Sequence, residues 1–295
     1  MGVPVPRTTL VCIDCQYPRL ALRALRLSLA QCAYPAVKLF TDALHVASEA
    51  GAGIELVPVA RVASAQDYSR FVLKDLLAHV ATDFVQIVQW DGYVINGAAW
   101  SEEFQRYDYI GARWWFREDG RNVGNGGFSL RSRRLLEALQ DPEVGVDLPE
   151  DNAICLEHRA LLEARYGIRI APAALADRYA FEGTPPTMRE FGFHRLFNFP
   201  LLYREAALAE ILAEIPDRDF CSDVSVSLVH RLADLGRVAE ALRYAARIRR
   251  EPAWRTRLHP ETRAEFEQIV RGMAPAHAPC PCGSGTLFAQ CCGAL

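Results

Sequence analysis

The stretch that decides the fold is Phe84-Val85-Gln86-Ile87-Val88-Gln89-Trp90-Asp91-Gly92, an apolar run that ends in polar residues and a glycine. A short run of this composition predicts a buried strand. A carboxylate at the carboxyl end of such a strand, in an α/β sheet, lies where phosphates and metal ions bind. Asp91 is therefore a candidate ligand, although an aspartate before a glycine is also an ordinary turn residue.

Strand and helix patterns alternate around this stretch, from residue 9 to about residue 111. Apolar runs predict strands at residues 9–14, 37–40, 54–59, 84–88, 128–130 and 168–171. Apolar residues at helical spacing predict helices at residues 19–31, 44–50, 68–80 and 149–166. The alternation predicts a mostly parallel sheet whose ligands bind at the strand carboxyl ends. Residues 113–125 are polar and rich in aromatic residues. This composition predicts a loop of the kind that closes over a ligand.

Composition excludes some classes of protein. Half of the 295 residues (51%) are hydrophobic, which predicts a sizeable core, and no apolar run approaches the roughly 20 residues that span a bilayer. The net charge of −3 argues against a nucleic-acid partner. The N-terminal residues lack the charged start and apolar run of a secretory signal, so we expect a cytoplasmic protein.

After about residue 200 the pattern is helical, with predicted helices at residues 201–214, 223–235 and 237–249. The pattern LxxxGRxxEALxxA, residues 232–245, resembles one tetratricopeptide-type hairpin. A plain helical appendage fits as well, because such arrays normally need about three repeats. The predicted domains are an α/β domain at residues 8–199, a helical appendage at 200–271, a linker at 272–279 and a zinc knuckle at 280–295.

The knuckle is predicted from four cysteines, Cys280, Cys282, Cys291 and Cys292. Four thiolates within thirteen residues match tetrahedral structural zinc, and metal binding would supply the folding energy of so short a segment. Two disulfides are the alternative, which requires an oxidising compartment. CPCGSG…CCG resembles the SEC-C motif, a small zinc-binding tail of bacterial proteins. Residues 286–290, TLFAQ, stand where that motif usually carries lysines, so a protein-docking role is favoured over a nucleic-acid one.

A glycine-rich segment, Gly124-Asn125-Gly126-Gly127, is the second candidate for ligand contacts. Glycines let the backbone approach a ligand closely, and the amide of Asn125 can bond sugar hydroxyls. A tight turn into the following strand explains the same residues and is compatible with the first interpretation.

Acidic residues in Pro149-Glu150-Asp151-Asn152 supply a candidate catalytic base. Proline followed by acids is also the ordinary start of a helix, where negative charge meets the positive end of the dipole. In the functional interpretation Asp151 deprotonates an acceptor hydroxyl, with Glu150 as its rival. The dipole would lower the pKa that a base needs raised.

His194 ends the segment Phe191-Gly192-Phe193-His194, predicted as a loop. A histidine among aromatic residues is often simply packed, but its imidazole can complete a metal site with Asp91. A divalent cation there would neutralise a diphosphate. Lys74, on the helix that also carries Tyr68, is a candidate phosphate contact, with a solvated side chain as the alternative.

Four motifs in this order, QWDG, GNGGFSLRS, PEDN and FGFH, preceded by YSRFVLKDL, resemble an uncharacterised bacterial glycosyltransferase-like family. That family is assigned to the GT-A fold of nucleotide-sugar-dependent glycosyltransferases, and the resemblance covers roughly residues 8–196. It implies a Rossmann-type mixed sheet flanked by helices and a nucleotide sugar under the first strands. The residues then expected at the donor are Asp14, Tyr68, Lys74, Gln89, Trp90, Asn125, Gly126 and Gly127.

The same resemblance implies Mn²⁺ or Mg²⁺ at Asp91 and an acidic catalytic residue at Glu150 or Asp151. The usual Asp-x-Asp metal motif reads Gln89-Trp90-Asp91 here, so one carboxylate remains and modest metal affinity is expected.

The functional hypothesis is transfer of a sugar from a nucleotide sugar to an acceptor nucleophile, inverting with Asp151 as base, while a retaining mechanism stays open. The acceptor is a glycan, a lipid-linked intermediate or a protein, and a protein partner is expected at the helical tail and knuckle. One alternative is a non-catalytic sugar-nucleotide-binding adaptor. Another is a nucleotide-sugar hydrolase.

Overall fold

The computed structural model describes residues 2–51, 53–281 and 284–294. Cys282, one of the four predicted zinc ligands, therefore lies outside the described residues. The chain forms two compact units, Met1–His194 and Arg195–Leu295. Within the described parts of the chain, no helix is both long and apolar enough to cross a membrane.

A six-stranded mixed sheet forms the centre of the first unit. The strands in chain order are β1 Val3–Pro4, β2 Thr8–Ile13, β3 Cys32–Ala33, β4 Ala36–Thr41, β5 Glu55–Pro58, β6 Phe84–Val88, β7 Tyr109–Gly111, β8 Ser129–Ser132, β9 Ala180–Phe181 and β10 Gly192–Phe193. The large sheet has the order β5-β4-β2-β6-β8-β7, in which β5, β4, β2 and β6 are parallel and β8 is antiparallel to both of its neighbours. The predicted α/β class and mixed sheet are confirmed.

Helices connect these strands. The α-helices of the first unit are α1 Pro18–Gln31, α2 Ala47–Ala50, α3 Ala65–Arg70, α4 Arg133–Ala138, α5 Glu150–Asn152, α6 Arg159–Tyr166 and α7 Ala173–Tyr179. The 3-10 helices are Leu44–Val46, Leu76–His79, Gly97–Ala99 and Glu102–Arg106.

Apolar side chains cover both faces of the sheet, as the central strand β2 shows. Its residues alternate, with Leu10 and Cys12 packing into one cluster and Val11 and Ile13 into the other. All six residues of β2 are buried because helices lie on both faces of a largely parallel sheet. This arrangement leaves the carboxyl ends of β2 and β6 as the polar edge, where Asp14 and Gln89 follow directly.

Several local predictions differ from the structure. The helices predicted at residues 68–80 and 149–166 each contain a π-helical turn, at Phe71–Asp75 and Ala153–Glu157. The strand predicted at residues 168–171 is wrong: it is an isolated bridge between Ile170 and Tyr109. It stays short because Pro172 follows and α7 begins at residue 173.

The loop predicted for the segment before His194 is also wrong, because Gly192–Phe193 forms β10. This strand pairs in parallel with β9, so that Phe193 lies opposite Phe181. The aromatic residues of this segment pack beside the strand pair, where the Phe181 and Phe193 rings stack at 5.8 Å between centroids.

The second unit is helical. Its helices are α8 Phe199–Leu202, α9 Glu205–Ala213, α10 Asp217–Phe220, α11 Asp223–Asp234, α12 Val238–Arg250, α13 Trp254–Arg257 and α14 Pro260–Gly272, with 3-10 helices at Leu196–Asn198 and Phe288–Gln290. The helix predicted at residues 201–214 is interrupted, since α8 ends at Leu202 and α9 begins at Glu205. Helix α11 packs against both α12 and α14. The likeness of α11 and α12 to a tetratricopeptide hairpin stays a prediction.

Much of the segment predicted as a linker, residues 272–279, takes part in the structures on either side of it. Helix α14 extends to Gly272, and the carbonyl oxygens of Ala276 and Ala278 accept hydrogen bonds from Ala289 and Phe288 (3.0 and 2.9 Å). Phe288 is 2% exposed, so this small segment buries its one large ring with the help of the preceding residues. The rest of the proposed division of the second unit stays a prediction.

Candidate functional site

The glycine turn at residues 124–127 brings three of the four motifs together. A Cβ built on Gly126 would lie 1.6 Å from Oε1 of Glu150, and one on Gly127 would lie 2.1 Å from Nε2 of His194. The amide of Gly126 also donates to Oδ2 of Asp151 at 3.3 Å. Gly126 and Gly127 are therefore required by the close approach of the candidate side chains Glu150 and His194.

Asp91 and His194 lie together, as the sequence suggested. Nε2 of His194 is 3.6 Å from Oδ1 of Asp91, and both side chains are less than a tenth exposed. Asp91 belongs to QWDG, the fourth motif, which follows β6, and His194 lies directly after β10. Their contact therefore adds the fourth motif to the other three. The amide of His194 donates to the carbonyl of Phe181, which fixes the backbone that carries the imidazole.

Gln89 joins this pair. Its amide oxygen lies 3.1 Å from Nε2 of His194, on the same side of the ring as Asp91. One carboxylate oxygen, one amide oxygen and one imidazole nitrogen are all ligands that Mn²⁺ accepts, and the oxygens also suit Mg²⁺. The donor set therefore fits a divalent cation, with one negative charge from the protein.

Glu182 contacts the candidate site, although no sequence pattern predicted it there. Its Oε1 lies 3.3 Å from Nδ1 of His194, and the side chain is buried. The pairing of β9 with β10 produces this contact, because Glu182 and His194 follow the paired residues Phe181 and Phe193. A carboxylate on the far nitrogen of a ligating histidine orients the ring and selects its tautomer. Two-residue strands have no pattern from which this pairing could be predicted.

The two candidate bases differ in their surroundings. Glu150 is buried and its Oε1 is 2.7 Å from a guanidinium nitrogen of Arg131, which is fully buried. Asp151 is half-buried and accepts from the amides of Gly126 and Asn152 (3.3 and 2.8 Å). Burial, and then the negative charge of Glu150, raise the pKa of the Asp151 carboxyl above its usual value. The amides of Asn152 and Gly126 and the charge of Arg131 lower the pKa of this carboxyl, but burial and the charge of Glu150 outweigh them.

Arg131 is the second residue missed from the sequence. It donates to Ser129 Oγ at 3.1 Å and its guanidinium lies 5.1 Å from the centre of the Tyr109 ring. Every residue of β8 is buried, including this arginine. The sequence did offer one indication, an arginine within a predicted buried strand shortly after the glycine turn. A buried charge requires a buried partner, so an acidic residue could have been sought nearby.

Asn125 has an unusual environment at the centre of the turn. Its φ is +65°, in the left-handed region, and its side chain is 3% exposed. Within the described chain, neither its amide nitrogen nor its amide oxygen has a hydrogen-bond partner. An unpaired buried polar group costs about 1 to 3 kcal/mol, and such strain concentrates at functional sites.

A cleft of about 230 Å³ lies at the carboxyl end of β2, lined by residues that include Asp14, Tyr17, Tyr68, Gln89 and Trp90. The Tyr17 and Trp90 rings meet edge to face at 5.8 Å between centroids. Burial raises the pKa of Asp14 to about 6, even though the amides of Gln16 and Tyr17 donate to its carboxylate. Because Gln89 borders both places, the cleft adjoins the candidate metal ligands.

Lys74 does not join the cleft. Its ammonium donates to the carbonyl oxygens of Leu139 and Asp141, at 2.5 and 3.2 Å. The π-helical turn that carries Lys74 directs its side chain to the loop after α4. In this structure the Lys74 ammonium therefore bonds backbone carbonyl groups and does not face the cleft.

Three of the predicted zinc ligands cluster in the second unit. The sulfur atoms of Cys280, Cys291 and Cys292 all lie within 4.8 Å of one another. Among the histidine, cysteine, aspartate and glutamate side chains of the described residues, they form the one group of at least three whose ligand atoms lie so close together. The eight described cysteines are free thiols, so the structure gives no support to disulfides among them.

Comparison with protein families gives two matches. Residues 52–196 match the family described as "Protein of unknown function (DUF5672)". Residues 278–294 match the SEC-C motif, which confirms the motif seen in the sequence. No curated protein matches the chain. Neither family description names a glycosyltransferase.

Solved structures resemble the chain weakly. The bifunctional IspDF from Campylobacter jejuni is 12% identical, covers 56% of this chain and has a TM-score of 0.39; the match spans 48% of its own length. The mannosyltransferase PcManGT from Pyrobaculum calidifontis, in complex with GDP-Man and Mn²⁺, is 16% identical and covers 91% of this chain and 86% of its own, with a TM-score of 0.40. A Mycobacterium sp. strain JC1 homologue of rv0371c from Mycobacterium tuberculosis is 17% identical and covers 56% of this chain and 84% of its own, with a TM-score of 0.36. Similarities of this size do not identify an activity.

Proposed function

We propose that the first unit is a nucleotide-sugar-dependent glycosyltransferase that moves a sugar to an acceptor nucleophile. The observation that carries the proposal is the meeting of the candidate metal ligands and the candidate base at one turn. Gly126 contacts Asp151 and the space beside Gly127 is filled by His194 and Gln89. A donor diphosphate on one side of the turn and an acceptor hydroxyl on the other would be held next to each other.

The ligands proposed for Mn²⁺ or Mg²⁺ are Asp91 and His194, and we add Gln89 as a neutral third. Bound there, the cation would offset the negative charge of the diphosphate leaving group. Glu182 holds the imidazole so that Nε2 points toward Asp91. Because the protein supplies one carboxylate, binding of the ion is expected to depend on the phosphates of the donor.

The proposed donor cleft is the one lined by Tyr17 and Trp90. Their rings offer flat apolar surface to a nucleobase, as aromatic side chains do in many nucleotide sites. Asp14, at the carboxyl end of β2, lies where hydroxyls of a ribose can be bonded. Asn125 supplies an amide that lacks a protein partner, and we propose that the turn opens so that a hydroxyl of the transferred sugar bonds it.

Asp151 is the proposed base. Its carboxylate takes the proton of the acceptor hydroxyl while that oxygen forms the new bond to the anomeric carbon and the bond to the diphosphate breaks. The raised pKa makes it a better proton acceptor than an ordinary aspartate. Glu150 is less suited because its carboxylate is held by Arg131. One direct displacement of this kind inverts the anomeric centre.

The test uses Asp151→Asn, with Asp147→Asn as the matched control, since Asp147 is an exposed acid just before the same helix. Turnover of UDP- and GDP-sugars with Mn²⁺ is followed by release of the nucleoside diphosphate. We expect kcat to fall by about 10²- to 10⁴-fold in Asp151→Asn while the donor still binds. Unchanged turnover in that variant would overturn the assignment of the base.

The same assay separates the alternatives. Release that requires an added acceptor supports transfer, whereas release that is equally fast in water alone supports a hydrolase. Binding of nucleotide sugars without release supports the non-catalytic adaptor. Absence of nucleotide binding to the wild-type protein, with or without Mn²⁺, would contradict all three.

For the second unit we propose a structural zinc ion held by Cys280, Cys282, Cys291 and Cys292. Four thiolates fill its coordination sphere, so the ion takes no part in the reaction. The knuckle and the helices before it are proposed to dock a protein partner.

A further inference from the structure

We propose that Trp115 and Phe116 form a carbohydrate subsite that binds the acceptor. The inference rests on the proposed function and names its acceptor class. Both side chains are more than half exposed (52% and 62%), and their rings meet edge to face at 5.3 Å between centroids. Two adjacent exposed aromatic rings form a candidate binding surface, because contiguous apolar patches on a protein surface are often functional.

The two rings are held by a braced hairpin. Arg113 and Val123 form a bridge, and the amide of Trp114 donates to the carbonyl of Asn122 at 2.8 Å. The Trp114 ring is buried, and the Phe116 ring packs 6.0 Å from it. Rings fixed before binding lose little conformational entropy when a ligand arrives.

The hairpin is anchored to the candidate site on two sides. A Cβ on Gly124 would lie 2.0 Å from the Trp114 ring, and Gly124 directly precedes Asn125. A Cβ on Gly183 would lie 2.2 Å from the Trp115 ring, and Gly183 directly follows Glu182. A molecule resting on the exposed rings is therefore beside the glycine turn, whose Gly126 amide donates to the proposed base Asp151.

The size of the aromatic surface fits one or two sugar rings. An aromatic side chain buries about 150 to 250 Å², so two half-exposed rings offer on the order of 200 Å². A stable protein interface buries about 1,200 to 2,000 Å². The exposed surface is thus far too small to hold a protein partner or a membrane by itself.

The chemistry around the rings also fits a carbohydrate. The face of an aromatic ring is negative, and the apolar face of a pyranose presents C–H groups to it. Partly exposed ion pairs accompany the rings: Arg113 of the hairpin pairs with Asp177 of α7 (2.9 Å), and Arg117 pairs with Asp119 within the hairpin. Such side chains offer both donors and acceptors to hydroxyl groups at the edge of a stacked sugar.

The experiment measures binding of trisaccharides of glucose, galactose, mannose and N-acetylglucosamine to the full chain by saturation-transfer NMR and fluorescence. We expect at least one to bind, and Trp115→Ala and Phe116→Ala to weaken its binding tenfold or more. Trp115→Phe should recover part of the affinity. The control is Leu235→Ala in the second unit, where an exposed apolar side chain (44%) is removed, and this variant should bind as the wild type does. Thermal melting checks that each variant is folded.

The inference fails if none of the trisaccharides binds, or if binding to Trp115→Ala equals that of the wild type. It also fails if phospholipid vesicles bind the wild type and lose binding in the same variants. Binding of UDP and GDP to the wild type is measured in parallel. If these nucleotides bind while the trisaccharides do not, the acceptor subsite is wrong and the proposed function stands. If they do not bind, the proposed function itself is wrong.

Discussion

At the scale of single residues, Asp14 is a carboxyl group whose charged form is destabilised by its place in the cleft. Its carboxyl group lies at the end of β2 within the cleft, and burial raises its pKa to about 6 from 3.8. The neighbouring charge of Asp91 adds to the same shift, whereas two backbone amides oppose it. Relative to the unfolded chain, folding therefore favours the neutral acid, and a ligand that bonds this carboxyl meets a group whose charge changes around pH 6.

We predict that the pH dependence of stability reveals this group. Because the folded-state pKa is raised, its stabilising contribution is complete below pH 3.8 and is lost as the pH rises through about 6. Wild type should therefore gain stability relative to Asp14→Asn between pH 7.5 and pH 5. Urea unfolding at the two pH values measures the difference, with Asp83→Asn, an exposed acid, as control. A difference that shrinks toward pH 5 would mean that the amide bonds outweigh burial.

At the scale of elements, strand β8 and helix α5 are joined by a buried ion pair. Arg131 is fully buried and Glu150 is 7% exposed at the side chain, with 2.7 Å between them. Removing one partner leaves the other charged in an apolar environment, which typically costs about 3 to 5 kcal/mol. The pair also sets the position of α5, because Glu150 and Asp151 are its first residues.

We predict that Arg131→Met lowers the free energy of unfolding by about 3 to 5 kcal/mol. The control is Arg19→Met, because the Arg19–Glu49 pair is exposed and such pairs contribute about 1 kcal/mol or less. Adding Glu150→Gln to Arg131→Met should restore part of the lost stability, since the orphaned charge is then removed. Denaturation of all three variants in urea tests this. Equal losses in Arg131→Met and Arg19→Met would show that the ion pair is not what joins the two elements.

The sequence predicted the sheet because its strands depend on local patterns, and the same patterns named many of the residues of the candidate site. Buried strands such as β2 and β6 are recognised from apolar runs, and Asp91 from its place at a strand end. The proximity of His194 to Asp91 could only be guessed, since 103 positions separate them along the chain. Glu182 and Arg131 escaped prediction because each acts through a partner brought near by pairing of distant segments. The π-helical turns have no simple sequence pattern of their own.

At the scale of the whole molecule, the chain combines a candidate active site in the first unit and a candidate zinc site in the tail, and we predict that the two depend on different ions. The thiol cluster lies within residues 280–292, whereas the candidate site uses residues between 14 and 194. The knuckle buries few side chains, Cys280, Phe288 and Cys292 among them, so its folding should require zinc. Elemental analysis should find about one zinc per chain and none in a Cys291→Ser/Cys292→Ser variant, whereas Cys221→Ala, outside the cluster, should keep it. Binding of UDP or GDP with Mn²⁺ should be the same in all three proteins. If the zinc-free variant loses nucleotide binding while its first unit remains folded, the two ions are not independent and the knuckle contributes to the donor site.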